Sequence, residues 1–343
     1  MEKIKENLQK LCTAIGVSGY EKSASNVAFN LLSEFDCNPV IDNYANVSGF
    51  LKSDKQNAKT ILLDAHIDEI GMIVTAIDKK GFLKVSKCGG VDLRILAAQE
   101  VVVHTETGNL IGVIGAKPPH LEKGEEAKQI PDISEIFIDI GMSTQQAEKL
   151  VALGDRVTIN SQFNQLLNDR VSCKSLDDRA GVCAILEALR LIKGKKISYN
   201  VAINFSSQEE TGSAGAKISS YKIKPDKAIV VDVSFAKVSG ENEHKCGKMG
   251  DGVMIGYAAT LNHNMSNEMK NIAKSKKIPY QIEVMGGSTG TNADEIGISR
   301  SGVMAVTLSI PQAYMHTPIE VCQISDIKAV ADLIAEYLQS EEN

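Results

Sequence analysis

The sequence predicts an α/β protein in which a β-rich module interrupts an α/β domain. Near both ends of the chain, short apolar runs that fit buried strands alternate with segments of helical spacing. Between about residues 69 and 166, short β-type runs follow one another, separated by turn clusters such as 78–81 and 107–109. A chain of 343 residues, at roughly 150 residues per domain, has room for about two domains.

The predicted elements follow in order along the chain. The first part contains helices at 5–15 and 21–35 and strands at 46–52 and 60–65. The middle part contains the β-type runs GMIVTAI, FLKVSKC, EVVVHTE, NLIGVIGA and EIFIDI and a helix near 145–153, a pattern typical of a small barrel or sandwich. The last part alternates helices at 179–192, 214–221, 265–275 and 324–340 with strands at 200–206, 227–233 and 303–309.

Composition excludes several classes of function. The formal net charge of −6 and the lack of long basic runs argue against nucleic-acid binding. No signal peptide and no apolar stretch long enough for a membrane span is predicted. The 7 cysteines are scattered and contain no CxxC pair, so reduced thiols in a cytoplasmic protein are expected. The absence of Trp and the aromatic content of 5% argue against an enzyme that binds polysaccharides by stacking the sugar rings on aromatic side chains.

Five short segments place histidine or acidic residues at the carboxyl ends of predicted strands or in loops that enter helices. They lie at 66–69, 175–179, 208–210, 231–233 and 314–316. Because ligands bind at the carboxyl ends of strands in an open α/β sheet, these side chains are expected to meet in one crevice. Taken singly, each has an ordinary structural explanation, such as a helix cap for Asp177 or a solvated turn for Glu209 and Glu210. Taken together, the five favour a metal site.

Histidines and carboxylates without cysteine form a ligand set suited to zinc, cobalt or manganese. Two close metal ions need a bridging anion, and Asp177 is a candidate for that role. In the pair His66-x-Asp68, Asp68 can accept the second ring N–H of the histidine and so fix its tautomer. The adjacent Glu209 and Glu210 suggest a general base beside a metal ligand.

These segments, read in order, resemble the M42 family of dinuclear metal aminopeptidases, which includes proteins named glutamyl aminopeptidase or cellulase M. They are AHIDEIG, SLDDRAG, QEETGSAGA, VDVS and YMHTP, and the resemblance extends to KPPH (117–120) and GGSTGTNAD (286–294). It covers nearly the whole chain. Two local departures stand out: TGSAGA (211–216) replaces a VGLRGA-like run, and TGTNAD (289–294) replaces a GTDAG-like one.

The resemblance implies a role for each site residue. His66 and Asp232 would hold one metal ion, Glu210 and His316 would hold the other, and Asp177 would bridge them. Glu209 would be the general base, Asp68 would orient His66, and Asp178 would support the ligands from behind. The two ions would be Zn or Co, with Mn as a further candidate.

The resemblance also implies a domain organisation. Residues 1–68 and 167–343 would form a three-layer α/β/α domain like that of zinc peptidases. Residues 69–166 would form an inserted β-barrel that serves dimerisation and assembly, and dimers would assemble into dodecamers. The expected function is removal of N-terminal residues from short peptides. Three further hypotheses stay open: a related metal-dependent carboxypeptidase or deacylase, a glycoside hydrolase as the cellulase M label suggests, and a non-catalytic assembly protein.

Overall fold

The structure is a computed structural model that describes residues 1–116, 130, 132–238 and 246–340. The KPPH segment at 117–120 lies outside the described residues. In the part of the chain that is described, no helix has both the length and the apolar character needed to cross a membrane.

The described helices lie mainly in the first and last parts of the chain. They are α1 (Glu2–Thr13), α2 (Lys22–Leu32), α3 (Thr144–Leu150), α4 (Leu176–Ile192), α5 (Ala214–Ile223), α6 (His263–Lys276), α7 (Asn292–Gly297) and α8 (Ile324–Gln339).

Eleven strands of the described residues form one large sheet. They are β1 (Val40–Ile41), β2 (Val47–Leu51), β3 (Thr60–His66), β10 (Asn164–Leu166), β11 (Arg170–Cys173), β12 (Asn200–Ser206), β13 (Lys227–Phe235), β14 (Val253–Ala258), β15 (Tyr280–Met285), β16 (Met304–Ala313) and β17 (Glu320–Gln323). The order is β1-β2-β12-β3-β13-β16-β17-β11-β10, and β14 pairs with both β15 and β16. The neighbours β12, β3, β13 and β16 run parallel to one another.

The centre of the sheet is apolar on both faces because helices cover both. In β3, Ile61 and Leu63 point into one core and Leu62 into another. Helices α1, α2, α4, α6 and α8 supply the first core, and α5 and α7 supply the second. The sheet with a helical layer on each face is the predicted three-layer α/β/α arrangement.

Between β3 and β10 the chain forms a second body, a closed barrel. Its described strands are β4 (Gly71–Ile77), β5 (Leu83–Cys88), β6 (Glu100–Thr105), β7 (Gly108–Ile114), β8 (Phe137–Asp139) and β9 (Arg156–Ile159), paired in the order β4-β5-β8-β7-β6-β9. Alternate side chains such as Met72, Val74, Val101, Val103 and Val157 point inward and fill the barrel. Closure leaves no unpaired strand edge, which decides between the predicted barrel and sandwich.

The predicted fold class is confirmed, and the differences concern individual elements. Strands β2, β3, β12, β13 and β16 and the barrel strands β4 to β8 were predicted. The elements that were missed are the strands β1, β9, β10, β11, β14, β15 and β17 and the short helix α7. The domain boundaries at 68/69 and 166/167 stay a prediction.

The parallel order of the central strands explains how the predicted site residues approach one another. His66 is the last residue of β3, and Asp232 lies near the end of β13. Residues 208–210 and 314–316 follow the ends of β12 and β16. All four strand ends therefore lie at one edge of the sheet, where α/β proteins bind ligands.

Candidate metal centre

The two predicted histidines face a single carboxylate from opposite sides. His66 Nε2 lies 3.0 Å from Asp177 Oδ1, and His316 Nε2 lies 3.3 Å from Asp177 Oδ2. His316 Nε2 is also 3.4 Å from Glu210 Oε1, and His66 Nε2 is 3.9 Å from Asp232 Oδ1. The structure thus brings together all five residues predicted as ligands, with one oxygen of Asp177 toward each imidazole.

Two overlapping groups of ligand atoms in the described residues are compact enough to hold a metal ion. One comprises His66, Asp178 and Asp232, and the other comprises His66, Asp177 and Glu210, with ligand atoms within 4.8 Å of one another in each. The predicted ligand sets differ from these two groups in two respects. Asp178 was not predicted to be a metal ligand, and His316 was predicted to hold an ion together with Glu210. The assignment of residues to each ion therefore stays a prediction.

The start of α4 has an irregular backbone that aims two adjacent aspartates in different directions. Neither Asp177 nor Asp178 has helical backbone angles. Asp178 Oδ1 accepts a hydrogen bond from the backbone N–H of Gly181 at 3.0 Å, and its Oδ2 accepts one from His66 N–H at 3.2 Å. The first of these bonds is a helix cap. The capping role that Asp177 could have had therefore falls to Asp178, and the Asp177 carboxylate is left for the histidines.

Asp68 contacts not only His66, its predicted partner, but also two further residues of the site. The His66 ring Nδ1 lies 3.2 Å from the main-chain oxygen of Asp68 and 3.5 Å from its Oδ1. The Asp68 carboxylate also accepts hydrogen bonds from the backbone N–H groups of Glu209 at 3.0 Å and Glu210 at 3.2 Å. A proton on Nδ1 leaves the His66 Nε2 lone pair toward the centre of the site, as a metal ligand requires.

Glu320 is a site residue that the sequence reasoning missed. Its side chain is buried, with Oε2 accepting from the backbone N–H of Asp177 at 3.1 Å and Oε1 from that of His316 at 3.0 Å. The signal available in the sequence was its position four residues after His316, in HTPIE, where a carboxylate can close a turn.

The barrel contributes a glycine pair to the site. A Cβ atom on Gly90 would lie 2.5 Å from His316 Nδ1, and one on Gly89 would lie 3.2 Å from Glu210 Cβ. Gly89 also has a φ of +81°, which favours glycine. The loop after β5 therefore packs its backbone directly against two of the predicted ligands.

The acidic groups of the site perturb one another strongly. Burial, followed by Asp232 as a like charge, raises the pKa of Asp178 well above its usual range. Burial likewise raises the pKa of Glu209 to about 7. Hydrogen bonds with Asp177 and Glu210 raise the pKa of His316 to about 11. Burial lowers the pKa of His66, but its bonds with Asp177 and Asp68 outweigh this and raise it well above the usual value.

Divalent cations would relieve the electrostatic repulsion between these buried carboxylates. Among the described residues, the ion pairs of these carboxylates are with the two imidazoles, whereas the nearby Lys174 and Arg179 pair with Glu69. Protons on the histidines partly offset the carboxylate charge in this arrangement. A dication would offset it better and leave the imidazoles neutral, as metal ligands must be. The residues present therefore fit two metal ions.

Two cavities reach these side chains. One, of only about 30 Å³, has the apolar wall residues Ile70, Met72, Val91, Ile95 and Ile159 and reaches Asp177, Glu210 and His316. The other, of about 460 Å³, reaches the same three side chains and also His66, Glu209 and Asp232, and its wall includes Phe235, Thr289, Thr291 and Met315. The larger cavity therefore has the room through which a peptide can approach the predicted ligands.

Both sequence departures lie close to the site. Thr211 Oγ1 is 2.8 Å from Ser18 Oγ, so the polar residue makes a hydrogen bond to the loop between α1 and α2. The backbone N–H groups of Thr289 and Gly290 donate to Asp294, which holds this segment against the larger cavity.

Comparison with known proteins gives the same result over nearly the whole chain. Residues 45–333 match the model of a family described as M42 glutamyl aminopeptidase. The lysyl aminopeptidase of Pyrococcus furiosus is 32% identical over 97% of this chain and 96% of its own length. An aminopeptidase structure from the archaeon Desulfurococcus kamchatkensis is 34% identical, with a TM-score of 0.92, covering 98% of this chain and 95% of that one.

A further similar structure carries information on assembly. The TET1 peptidase of Pyrococcus horikoshii is 31% identical, with a TM-score of 0.86, over 98% of this chain and 100% of that one. Its structure is described as able to assemble into a tetrahedron or a large octahedral shell.

Proposed function

Because the chain belongs to the M42 aminopeptidase family, we propose that it removes N-terminal residues from short peptides with two metal ions and Glu209 as general base. The chain is a metal-dependent aminopeptidase of that family. To this family activity the proposal adds the identity of the metal ligands, the identity of the general base and the size of the substrate.

The observation that carries the proposal is the position of Asp177 between two imidazoles. Each of its oxygens faces a different histidine, at 3.0 and 3.3 Å, which is the arrangement expected of a carboxylate that bridges two cations. His66 and Asp232 would hold one ion, and Glu210 and His316 would hold the other. Zn and Co suit this nitrogen and oxygen set, and Mn is a further candidate. When bound, the ions supply Lewis acidity that acidifies water and polarises the scissile carbonyl.

The surroundings of Glu209 support the proposed role as base. Asp68 holds its backbone N–H at 3.0 Å, and burial raises the pKa of its carboxyl to about 7. Bound ions would lower this pKa again, and a carboxylate held beside them can take a proton from water and return it to the leaving amine. The surrounding acidic residues favour the positively charged α-amino group of a peptide over its α-carboxylate. This favours an aminopeptidase over a carboxypeptidase.

A glycoside hydrolase and a non-catalytic protein both fit the site less well. A glycosidase needs two carboxylates facing each other across the sugar, whereas Glu209 and Glu210 are adjacent and both flank histidines. A non-catalytic assembly protein would have lost a ligand or the base, and the sequence retains all of them. We further propose that copies of the chain assemble into a homo-oligomer through the inserted barrel. The cytoplasmic location stays a prediction.

The test is the substitution Glu209→Gln, which keeps the shape of the side chain and removes its basicity. We expect kcat on leucine p-nitroanilide to fall by roughly 10²–10⁴-fold, the usual contribution of a general base. Metal content should stay near two ions per chain, because Glu209 is not a proposed ligand.

Glu148→Gln on the exposed surface of α3 is the matched control and should keep full activity. Turnover by Glu209→Gln at the wild-type rate would remove Glu209 from the mechanism. A second substrate with an acetylated N-terminus tests the aminopeptidase assignment, since blocking the amine should stop cleavage.

A further inference from the structure

Three buried carboxylates beside the proposed ligands accept hydrogen bonds from backbone N–H groups of the site. Asp68 and Asp178 are 0% exposed and Glu320 is 2% exposed. Each accepts hydrogen bonds from the backbone N–H groups of residues whose side chains form the site. The donors are His66 for Asp178, Glu209 and Glu210 for Asp68, and Asp177 and His316 for Glu320. Four of the five proposed ligands are thus fixed through their main chain by a buried acid.

Glu320 differs from the other two in what it connects. Its two oxygens bind different segments, the start of α4 at Asp177 and the turn between β16 and β17 at His316. Asp177 is 143 residues away from Glu320 in the sequence, whereas His316 is 4 residues away. Closing the turn would need only the bond to His316. The bond to Asp177 therefore requires another explanation.

The position of Glu320 is costly in the folded protein. A buried carboxylate is unfavourable unless it is hydrogen-bonded, and this one also lies near Asp177, a like charge. A residue placed only for stability could fill this space with less electrostatic cost. The gain that offsets the cost is geometric: each oxygen fixes one of two ligands that must lie a set distance apart.

We propose that Glu320 is a positioning residue that sets the separation between Asp177 and His316, and through it the affinity of the ion shared by Asp177, Glu210 and His316. The proposal rests on the proposed two-ion function. Glu320 acts through the backbone of the ligands and does not touch the substrate. Loss of Glu320 should weaken this ion more than the one held by His66 and Asp232, because only Asp177 belongs to both.

The test compares two buried carboxylates that each bind two backbone N–H groups. Asp326 is 0% exposed and accepts from Gly250 at 2.7 Å and Gly252 at 2.9 Å, outside the metal site. Chelator-treated wild type, Glu320→Gln and Asp326→Asn are titrated with Co²⁺ by calorimetry and by the visible absorption of bound Co²⁺. In Glu320→Gln an amide N–H faces a backbone N–H, so one of the two bonds is lost.

We expect one of the two Co²⁺ binding steps to be 10–100-fold weaker in Glu320→Gln than in the wild type, the usual effect of removing a group that orients ligands. Asp326→Asn should bind both ions as the wild type does. If Glu320→Gln does not fold, Glu320→Asp takes its place; it keeps both oxygens but is one methylene too short to reach both segments, so the same step should weaken.

Equal affinities in the wild type and the Glu320 variant would overturn the positioning role alone. Equal weakening in Asp326→Asn would also overturn it, since the effect would then follow from losing any buried carboxylate. Fewer than two ions bound by the wild type would instead contradict the proposed function, and with it this inference.

Discussion

Glu69 shows how a buried charge can stabilise the wall of the site without belonging to it. Its carboxylate lies 2.5 Å from Lys174 Nζ and 3.3 Å from Arg179 NH2, and it accepts from Ser175 Oγ at 2.7 Å. Burial alone would raise its pKa, but Lys174 and Arg179 outweigh burial and hold the pKa at about 2. Because Arg179 is 0% exposed and its other contacts are backbone carbonyls, this acid neutralises a guanidinium that would otherwise be buried without a charged partner among the described residues.

The Glu69 network should stabilise the protein in a pH-dependent way. A folded pKa of about 2 against an ordinary 4.5 means that the stabilisation is fully present above pH 4.5 and is lost as the pH falls toward 2. Its size is on the order of 3 kcal/mol. Glu69→Gln should therefore lower the free energy of unfolding by roughly 3–5 kcal/mol at pH 7, and by much less near pH 3.

Urea denaturation of chelator-treated protein at the two pH values measures this difference. Asp332→Asn is the control, because Asp332 forms a partly exposed ion pair with Lys328 four residues away. That change should cost no more than about 0.5 kcal/mol at pH 7. A loss of stability in Glu69→Gln that is the same at both pH values would contradict the ion-pair explanation.

The site was predictable residue by residue where chemistry is visible in side-chain type. His66, Asp177 and His316 are marked by their position after strands or before a helix, and the structure brings them together. Glu320 was not predictable in the same way, because it bonds to the backbone of a residue 143 positions away. Sequence reasoning sees which side chains can bind a metal, but not which carboxylates hold the main chain.

At the scale of elements, the β5 loop is the point where the barrel touches the metal centre. Gly90 faces His316, and the Cβ of any other residue would lie 2.5 Å from Nδ1 of that ring. Gly90 has no positive φ, so Gly90→Ala introduces no backbone strain and its effect is steric. We expect this variant to displace His316 and to lower kcat by on the order of 10²-fold, the effect of a misplacement of about 1 Å.

The matched control is Gly115→Ala, at the end of β7 in the same barrel. Among the described residues a Cβ there would meet nothing within 4 Å, and its φ is also not positive. Steady-state kinetics and metal content would be measured for both variants, with circular dichroism to show an intact fold. Wild-type kinetics in Gly90→Ala would mean that the loop can move away without disturbing His316.

Elements were predictable according to how fully they are buried. Strands β3, β12, β13 and β16 are continuous apolar runs, because helices cover both faces of the sheet. Strand β15 reads YQIEVM, with Ile282 and Val284 exposed, and among the described strands its one partner is β14. Its apolar and polar residues alternate as in a half-exposed strand, but the apolar Ile282 and Val284 lie on the exposed face, and its pairing is set by tertiary contact.

At the scale of the molecule, the proposed ions join segments that are far apart in the chain. The ligands come from β3, α4, β13 and the loops after β12 and β16. Any ligand bound only by the folded state stabilises it, by about 2.7 kcal/mol at a free concentration of 100 times Kd. Removal of the ions with EDTA should therefore abolish peptidase activity and lower Tm, and added Zn, Co or Mn should restore both.

Differential scanning calorimetry with and without EDTA measures the shift. The variant Asp232→Asn, which lacks one proposed ligand, should show a smaller shift on chelation than the wild type. Full peptidase activity after exhaustive chelation would contradict the proposed role of the two ions.

The outer face of the barrel suggests how copies of the chain assemble. Ile111 is 59% exposed, and Val113 and Phe137 are each 46% exposed, on the adjacent strands β7 and β8. Neighbouring apolar side chains on a closed barrel contribute nothing to its core and mark a surface that another protein can cover. The similar TET1 peptidase has been described as a dodecamer, and the homo-oligomer proposed above would cover this surface with a second copy of this chain.

Light scattering should therefore give a mass of twelve times the 37.0 kDa of one chain. The double substitution Ile111→Lys and Val113→Lys should lower that mass, because it places two charges in the contact, while circular dichroism stays unchanged. Leu167→Lys is the control: Leu167 is 87% exposed but lies between β10 and β11, outside the barrel, so its substitution should leave the mass unchanged.

Because the ligands of each proposed site come from one chain, the smaller assembly should keep its two metal ions and its activity on aminoacyl anilides. A wild-type mass of one chain would contradict the assembly, and loss of metal in the smaller form would show that the site depends on a neighbouring copy.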